Sequence, residues 1–195
     1  SYLILVGYAL FGRRQIIEAL LLSWFFSMLS PKIIPLAEYE SFFRYIIILA
    51  CFFSILIRAN FRKTNGITLG TISLGAFLIL HAIFFSQVPT ISFLKASNWT
   101  LVITTIFLAW KGMDSLEYED TKNWIKGFLL IILLISIPTL LIPEIGFSVN
   151  SRFFSGILNH PQALGMTVAV LAAIFIEKLY DQNRFTILSL VIFII

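Results

Sequence analysis

Charged residues are scarce in this chain of 195 amino acids: they make up 12% of the sequence, whereas soluble domains have about 25%. Apolar residues account for 59%, and the mean hydropathy is +0.96. This composition excludes an ordinary water-soluble domain and predicts an integral membrane protein. Because a single spanning segment must satisfy its own backbone hydrogen bonds, we expect an all-α fold, a polytopic transmembrane helix bundle.

Cysteine is almost absent as well. Cys51 is the only one and lies in an apolar run, so the sequence has no disulfide framework and no thiol or zinc constellation. It also lacks a Ser-His-Asp set, a paired-carboxylate motif and a phosphate-loop glycine pattern. The net charge is +4, but the basic residues are spread over short loops without a polybasic block. We therefore expect no nucleic-acid partner, no cofactor and no metal.

Apolar runs of about 20 residues recur along the chain, and each is long enough to cross a hydrocarbon layer of about 30 Å as a helix. Six complete spans are predicted, at residues 16–35, 42–59, 67–88, 97–110, 125–143 and 161–179. A partial span precedes Gly12, and another begins near Thr186. We interpret residues 1–195 as a single transmembrane domain and, since both ends fall in apolar runs, as a fragment of a longer protein.

The distribution of Lys and Arg predicts the orientation of these spans. Alternate loops hold ten basic residues on one side and four on the other. The ten are Arg13, Arg14, Arg58, Arg62, Lys63, Lys111, Lys122, Lys126, Lys178 and Arg184. The four are Lys32, Arg44, Lys95 and Arg152. The positive-inside rule places the ten in the cytoplasm, so Arg152 faces the periplasm from the inner (plasma) membrane.

Acidic residues cluster between two predicted spans, at residues 111–126. Asp114, Glu117, Glu119 and Asp120 lie there among lysines. Such a cluster can bind a divalent cation, but the segment has no loop-like ligand pattern with a turn glycine. We favour a solvated amphipathic connector over a metal site.

The most informative segment is residues 152–165, where polar residues interrupt two apolar stretches. Polar groups at membrane depth are costly and often functional. Pro161 suits the first position of a helix, with His160 or Asn159 as its cap, after a non-helical stretch at residues 148–159. Unpaired N–H groups at this helix start and the Arg152 guanidinium would together suit a phosphate or pyrophosphate.

The candidate substrate-binding residues are Arg152, Gly156, Asn159, His160 and Lys95. Lys95 enters this set because a span that begins near Ser92 would bring its side chain into the membrane interface. In the alternative interpretation, Arg152 is an interfacial anchor and residues 159–161 form an ordinary helix cap.

Other features inside the predicted spans are best explained by packing. We expect His81 to hydrogen-bond to a neighbouring helix. Gly66, Gly70 and Gly75 form a small-residue face on the same span, and the spacing of Gly66 and Gly70 favours close helix packing. Pro138 is expected to break the span at residues 125–143, because proline frees a carbonyl and kinks a helix.

Residues 152–165 resemble a motif of the O-antigen ligase and O-antigen polymerase superfamily of bacterial envelope proteins. That pattern has an arginine, then a glycine, an Asn-Pro or His-Pro pair usually followed by asparagine, and a small residue where the next helix begins. The matching residues are Arg152, Gly156, His160, Pro161 and Gly165. Gln162 replaces the asparagine and keeps its amide.

The resemblance implies a membrane glycan transferase of polysaccharide biosynthesis in the cell envelope. Such an enzyme moves a glycan from an undecaprenyl diphosphate carrier to a glycan or glycolipid acceptor on the outer face of the membrane, without a nucleotide sugar or an essential metal. Arg152 would bind the donor diphosphate. The family's further catalytic groups lie in a large outer loop of its second half, so we expect them beyond Ile195 and expect residues 1–195 to be inactive alone.

Two other functions stay open at this stage. A small-anion transporter would bind its substrate at a broken helix between repeats. A membrane assembly factor would have no small-molecule chemistry. A large outer loop with Arg and His would favour the transferase, whereas an inverted repeat of the first spans would favour the transporter.

Overall fold

The computed structural model describes residues 2–31, 33, 37–58, 66–147 and 153–182, and within these residues it is helical apart from turns and isolated bridges. The helices are α1 (Tyr2–Ala9), α2 (Arg13–Met28), α3 (Ala37–Arg58), α4 (Gly66–Phe85), α5 (Pro89–Gly112), α6 (Ser115–Ser136), α7 (Pro143–Gly146) and α8 (Pro161–Gln182). A 3-10 helix, Ile137–Leu141, lies between α6 and α7. The predicted all-α class is confirmed.

Two of the described helical stretches, Pro89–Gly112 and Ser115–Leu141, are long and apolar enough to cross a membrane. Only 11% and 28% of their most apolar parts are buried. The core helix of a soluble protein would be mostly buried, so these stretches present apolar side chains outward instead. Shorter apolar stretches lie at Leu69–Phe85 and Pro161–Ile176. Six complete spans stay a prediction, and the partial span near Thr186 falls outside the described residues.

The predicted connector at residues 111–126 is wrong in its conformation. Only Met113 and Asp114 separate α5 from α6, and the other acidic residues, Glu117, Glu119 and Asp120, lie in the first turns of α6. Asp114 caps this helix, because its Oδ1 accepts a hydrogen bond of 2.8 Å from the backbone N–H of Glu117. A capping Asp followed three residues later by Glu is a signature of a helix start, and it overrides the polarity that suggested a connector.

One compact unit comprises Ser1–Ser27 and Glu38–Thr121. Its buried apolar residues come mainly from α1, α2 and α3, and include Ala9, Ile16 and Ile47. The last carbonyl groups of α1 have no hydrogen-bond partner within the helix. One of them, the carbonyl of Ala9, accepts a hydrogen bond of 2.9 Å from the Ser54 hydroxyl of α3.

Helices α4 and α5 of this unit pack closely at Gly75. A Cβ at Gly75 would lie 2.3 Å from the Cγ2 atom of Thr100, so only glycine allows this approach. The small-residue face predicted on this helix is therefore confirmed at Gly75. The close packing predicted from the spacing of Gly66 and Gly70 is not found among the described residues, because a Cβ at either position would meet nothing within 4 Å.

The other compact unit comprises Met28–Ala37 and Lys122–Ile195. Its buried apolar residues include Ile132 of α6, Leu171 of α8, and Leu158 in the non-helical segment before α8. Helix α6 ends at Ser136, two residues before Pro138, and continues as the 3-10 helix. Since Pro138 has no N–H and clashes with the preceding turn, the predicted interruption at this proline is confirmed.

Candidate functional site

The non-helical segment before α8, residues 153–160, is held by main-chain hydrogen bonds. On one side it pairs with residues 28–30: the N–H of Asn159 donates to the carbonyl of Met28 over 2.7 Å, and Leu29 and Leu158 form an antiparallel bridge. On the other side it bonds to the end of α7. These bonds pair backbone N–H and C=O groups that have no helical partner, because the segment is not a helix.

The end of α7 contributes a single carbonyl that accepts two main-chain hydrogen bonds and a longer one of 3.4 Å from the Ser155 hydroxyl. Gly146 O accepts from the N–H of Ser155 over 2.8 Å and from that of Gly156 over 3.2 Å. Next to it, Phe147 and Phe154 form a second antiparallel bridge with their rings 5.7 Å apart, edge to face. The segment is therefore fixed at both of its ends.

Gly156 makes the turn of this segment. Its φ is +63°, a left-handed conformation that L side chains rarely adopt. A Cβ at this position would lie 2.4 Å from both Cβ and Oγ of Ser136, and the Ser136 hydroxyl accepts a hydrogen bond of 3.3 Å from the N–H of Ile157. Gly156 is buried and cannot contact a ligand directly. Its role is to direct the backbone toward Asn159 and His160.

Helix α8 begins at Pro161, as predicted, and His160 is its cap. The His160 Nδ1 atom accepts a hydrogen bond of 3.3 Å from the N–H of Gln162, and the His160 carbonyl accepts one of 3.0 Å from Ala163. The expected row of unpaired N–H groups is therefore wrong, because Pro161 has no N–H and the next two N–H groups are bonded. Since Nδ1 is an acceptor here, we assign the imidazole proton to Nε2.

The side chains of Asn159 and His160 are both exposed at this helix start. They offer an amide group and the Nε2–H of an imidazole, which are hydrogen-bond donors suited to phosphate oxygens. Residues 153–160 contain no Lys or Arg. The cation of the predicted site is Arg152, which falls outside the described residues.

Lys95, the remaining predicted residue, lies in the other unit, in a groove between α4 and α5 with a volume of about 440 Å³. We call this the α4–α5 groove. Its lining consists of Leu78, His81, Ala82, Ser86, Ser92, Lys95, Ala96 and Trp99. His81 is exposed and stacks on Phe85 of its own helix with 5.3 Å between ring centroids, and the described residues do not show the predicted hydrogen bond from it to a neighbouring helix. Sequence spacing alone did not reveal that the hairpin brings these polar residues together.

A buried carboxylate escaped sequence reasoning. Glu18 is 2% exposed and accepts a hydrogen bond of 2.7 Å from Arg14 Nε and another from the Tyr8 hydroxyl. Arg14 also reaches Asp120 over 3.3 Å. The hydrogen bond to Glu18 raises the pKa of the Arg14 guanidinium above its ordinary value, so the cation stays charged. The signal was available: Arg14 and Glu18 are four residues apart at the start of a predicted span.

Comparisons of the chain with models of known protein families, with curated proteins and with solved structures found no match in any of the three. An all-helical fold hosts many unrelated functions. Function must therefore be inferred from the individual side chains and their geometry.

Proposed function

We propose that this chain belongs to a membrane glycan transferase, an O-antigen ligase or polysaccharide polymerase, whose site faces the periplasm from the inner membrane. The apolar, mostly exposed surfaces of Pro89–Gly112 and Ser115–Leu141 support the membrane placement. The resemblance at residues 152–165 supports the activity. In this proposal the chain has six complete spans and a donor site at the start of α8.

The observation that carries the proposal is the exposed pair Asn159 and His160, held at the start of α8 by a segment with main-chain hydrogen bonds near both of its ends. A site built on fixed backbone keeps its donors oriented, so they need not reorganise when charge develops. Arg152 supplies the positive charge that the pair itself lacks.

The proposed reaction has one bond formed and one broken at the anomeric carbon of the donor glycan. An acceptor hydroxyl attacks this carbon and releases its proton to water, while the bond from the carbon to the phosphate oxygen breaks. The undecaprenyl diphosphate leaves with that oxygen and the bonding electron pair. Arg152, the Nε2–H of His160 and the amide of Asn159 would donate to the diphosphate oxygens as their negative charge grows.

The first test is Arg152→Ala in the full-length protein, with Arg152→Lys and Gln162→Ala as comparison variants. We expect Arg152→Ala to reduce the rate of glycan transfer by about 100-fold or more, the usual effect of removing a donor from a developing anion. Surface glycan is read on gels, and protein abundance on immunoblots of the same membranes. Normal glycan with unchanged protein abundance in Arg152→Ala would contradict the proposal.

A second test separates the two roles of His160. In His160→Asn the cap is kept, because asparagine is among the best N-cap residues, but the Nε2–H donor is lost. In His160→Ala both are lost. We expect normal protein abundance and reduced glycan transfer in His160→Asn, and lower abundance as well in His160→Ala. Full transfer by His160→Asn would reduce the role of His160 to capping.

A small-anion transporter is the second candidate, favoured by the interruption of the helical chain at residues 136–143. Transporters bind their substrates at such broken helices. Proteoliposomes containing the full-length protein distinguish the two functions: phosphate or sulfate uptake that depends on Arg152, with no transfer of lipid-linked glycan, would favour the transporter.

A further inference from the structure

We propose that the α4–α5 groove binds the phosphate of an anionic phospholipid. The proposal depends on the membrane placement argued above and not on glycan transfer. The groove lies at the hairpin turn, where α4 ends at Phe85 and α5 begins at Pro89. If this hairpin crosses a bilayer, its turn lies at the headgroup level, because only residues 86–88 connect the helices.

The positive charge of Lys95 favours an anionic ligand in the groove. Lys95 is exposed in the groove, and neither α4 nor α5 contains an Asp or Glu. The sequence has no acidic residue at all between residues 41 and 113. A lysine at the membrane interface without a carboxylate on its own hairpin favours an external anion, and each such lysine attracts anionic lipid.

Hydrogen-bond donors line the groove together with this cation. His81 and Trp99 line the groove with an imidazole and an indole, whose N–H groups donate to phosphate oxygens. The Ser86 and Ser92 hydroxyls lie 2.6 Å apart, and Ser86 Oγ also accepts the N–H of Val88. One hydroxyl proton is used within the serine pair, and the other remains for an external acceptor.

Exposed apolar side chains also lie along both helices on the side of Lys95 away from the hairpin turn. Leu74 and Phe77 of α4 are 48% and 60% exposed, and Ile106 and Phe107 of α5 are 36% and 42% exposed. In a bilayer, the acyl chains of a lipid with its phosphate at Lys95 would extend in this direction. A soluble phosphate would leave this surface without a partner. The acyl chains of a phospholipid would cover it, with about 0.8 kcal/mol gained per buried CH₂ group.

The test is native mass spectrometry of the full-length protein, purified in detergent and titrated with phosphatidylglycerol or phosphatidylcholine. We expect Lys95→Gln to weaken phosphatidylglycerol binding about fivefold, the factor typical of one lysine near a lipid surface. The matched control is Lys111→Gln, which removes the same charge from the opposite end of α5. Because Lys111 lies outside the groove and only three residues before Asp114, this variant is expected to change Kd less than twofold. Lys95→Arg is expected to bind like the wild type.

Several outcomes would overturn the proposal. Equal losses in Lys95→Gln and Lys111→Gln would show that only net charge matters. Equal affinity of the wild type for the two lipids would exclude an anionic headgroup site. Displacement of phosphatidylglycerol by millimolar inorganic phosphate would indicate a site for soluble phosphate. Carbonate extraction of the same membranes tests membrane placement separately, so a failure there is distinct from failure of lipid binding.

Discussion

The turn at Gly156 yields the sharpest prediction about stability. In Gly156→Ala the backbone keeps a φ of +63°, which costs a residue with a side chain about 1 to 2 kcal/mol. The new Cβ also meets Ser136 Cβ and Oγ at 2.4 Å, and overpacking of this kind costs about 1 to 3 kcal/mol. The expected decrease in the free energy of unfolding is therefore about 2 to 5 kcal/mol.

The two contributions can be separated in a double-mutant cycle with Ser136→Gly. This change removes the clashing Cβ and Oγ atoms, so Gly156→Ala in the Ser136→Gly background is expected to cost only the conformational part, about 1 to 2 kcal/mol. The coupling energy is then about 1 to 3 kcal/mol. Ser136→Gly alone loses the hydrogen bond to the N–H of Ile157, which the cycle subtracts.

The assay is SDS-induced unfolding in detergent micelles, followed by far-UV circular dichroism. Gly165→Ala is the control, because Gly165 lies in α8 and a Cβ there meets nothing within 4 Å. We expect this control to be neutral or stabilising by up to about 1 kcal/mol, since alanine is the better helix former. A Gly156→Ala cost below about 0.5 kcal/mol, or an equal cost in both backgrounds, would refute the reasoning.

Two further predictions concern α2 and α6. Arg14→Leu is expected to destabilise the protein by about 3 kcal/mol, because it leaves the buried Glu18 without its cation; Arg14 is 34% exposed, which places the cost at the lower end for a buried pair. Glu18→Leu is expected to cost about 1 kcal/mol, since Arg14 can remain solvated, and equal costs in the same unfolding assay would contradict this asymmetry. Asp114→Ala is expected to cost about 1 kcal/mol through loss of the α6 cap, whereas Asp114→Asn is expected to be nearly neutral. Similar costs for the two Asp114 variants would show that the cap contributes little.

Local rules were sufficient to predict where several helices begin and end. Pro161 and Pro138 act through their own missing N–H and fixed φ, so their effects on α8 and α6 are readable from the chain alone. The predicted span at residues 97–110 begins later than α5, which starts at Pro89. Lys95 lowers the local hydropathy, but its side chain does not interrupt the helix. A long, flexible lysine costs little at a helix end that reaches an interface.

The contacts that shape the candidate sites could not be predicted in this way. The approach of Gly156 to Ser136 and that of Gly75 to Thr100 each join two helices or segments distant in sequence. Such distances depend on how neighbouring elements pack, which a periodic pattern does not specify. The same limit applies to the α4–α5 groove, where Lys95 and His81 were interpreted separately although the hairpin places them in one lining.

Only three residues connect α4 to α5, so in a bilayer the two helices would insert as a pair. A lysine at the centre of a single helix disfavours insertion by about 2.5 to 3.5 kcal/mol. Helix α4 has no charged residue, so its transfer from water into the bilayer is favourable. This free energy would offset the cost of moving Lys95 across the membrane or into its interface. The pairing at Gly75 would then matter for insertion as well as for the folded state: a hairpin that cannot close there would have to insert α5 on its own hydrophobicity.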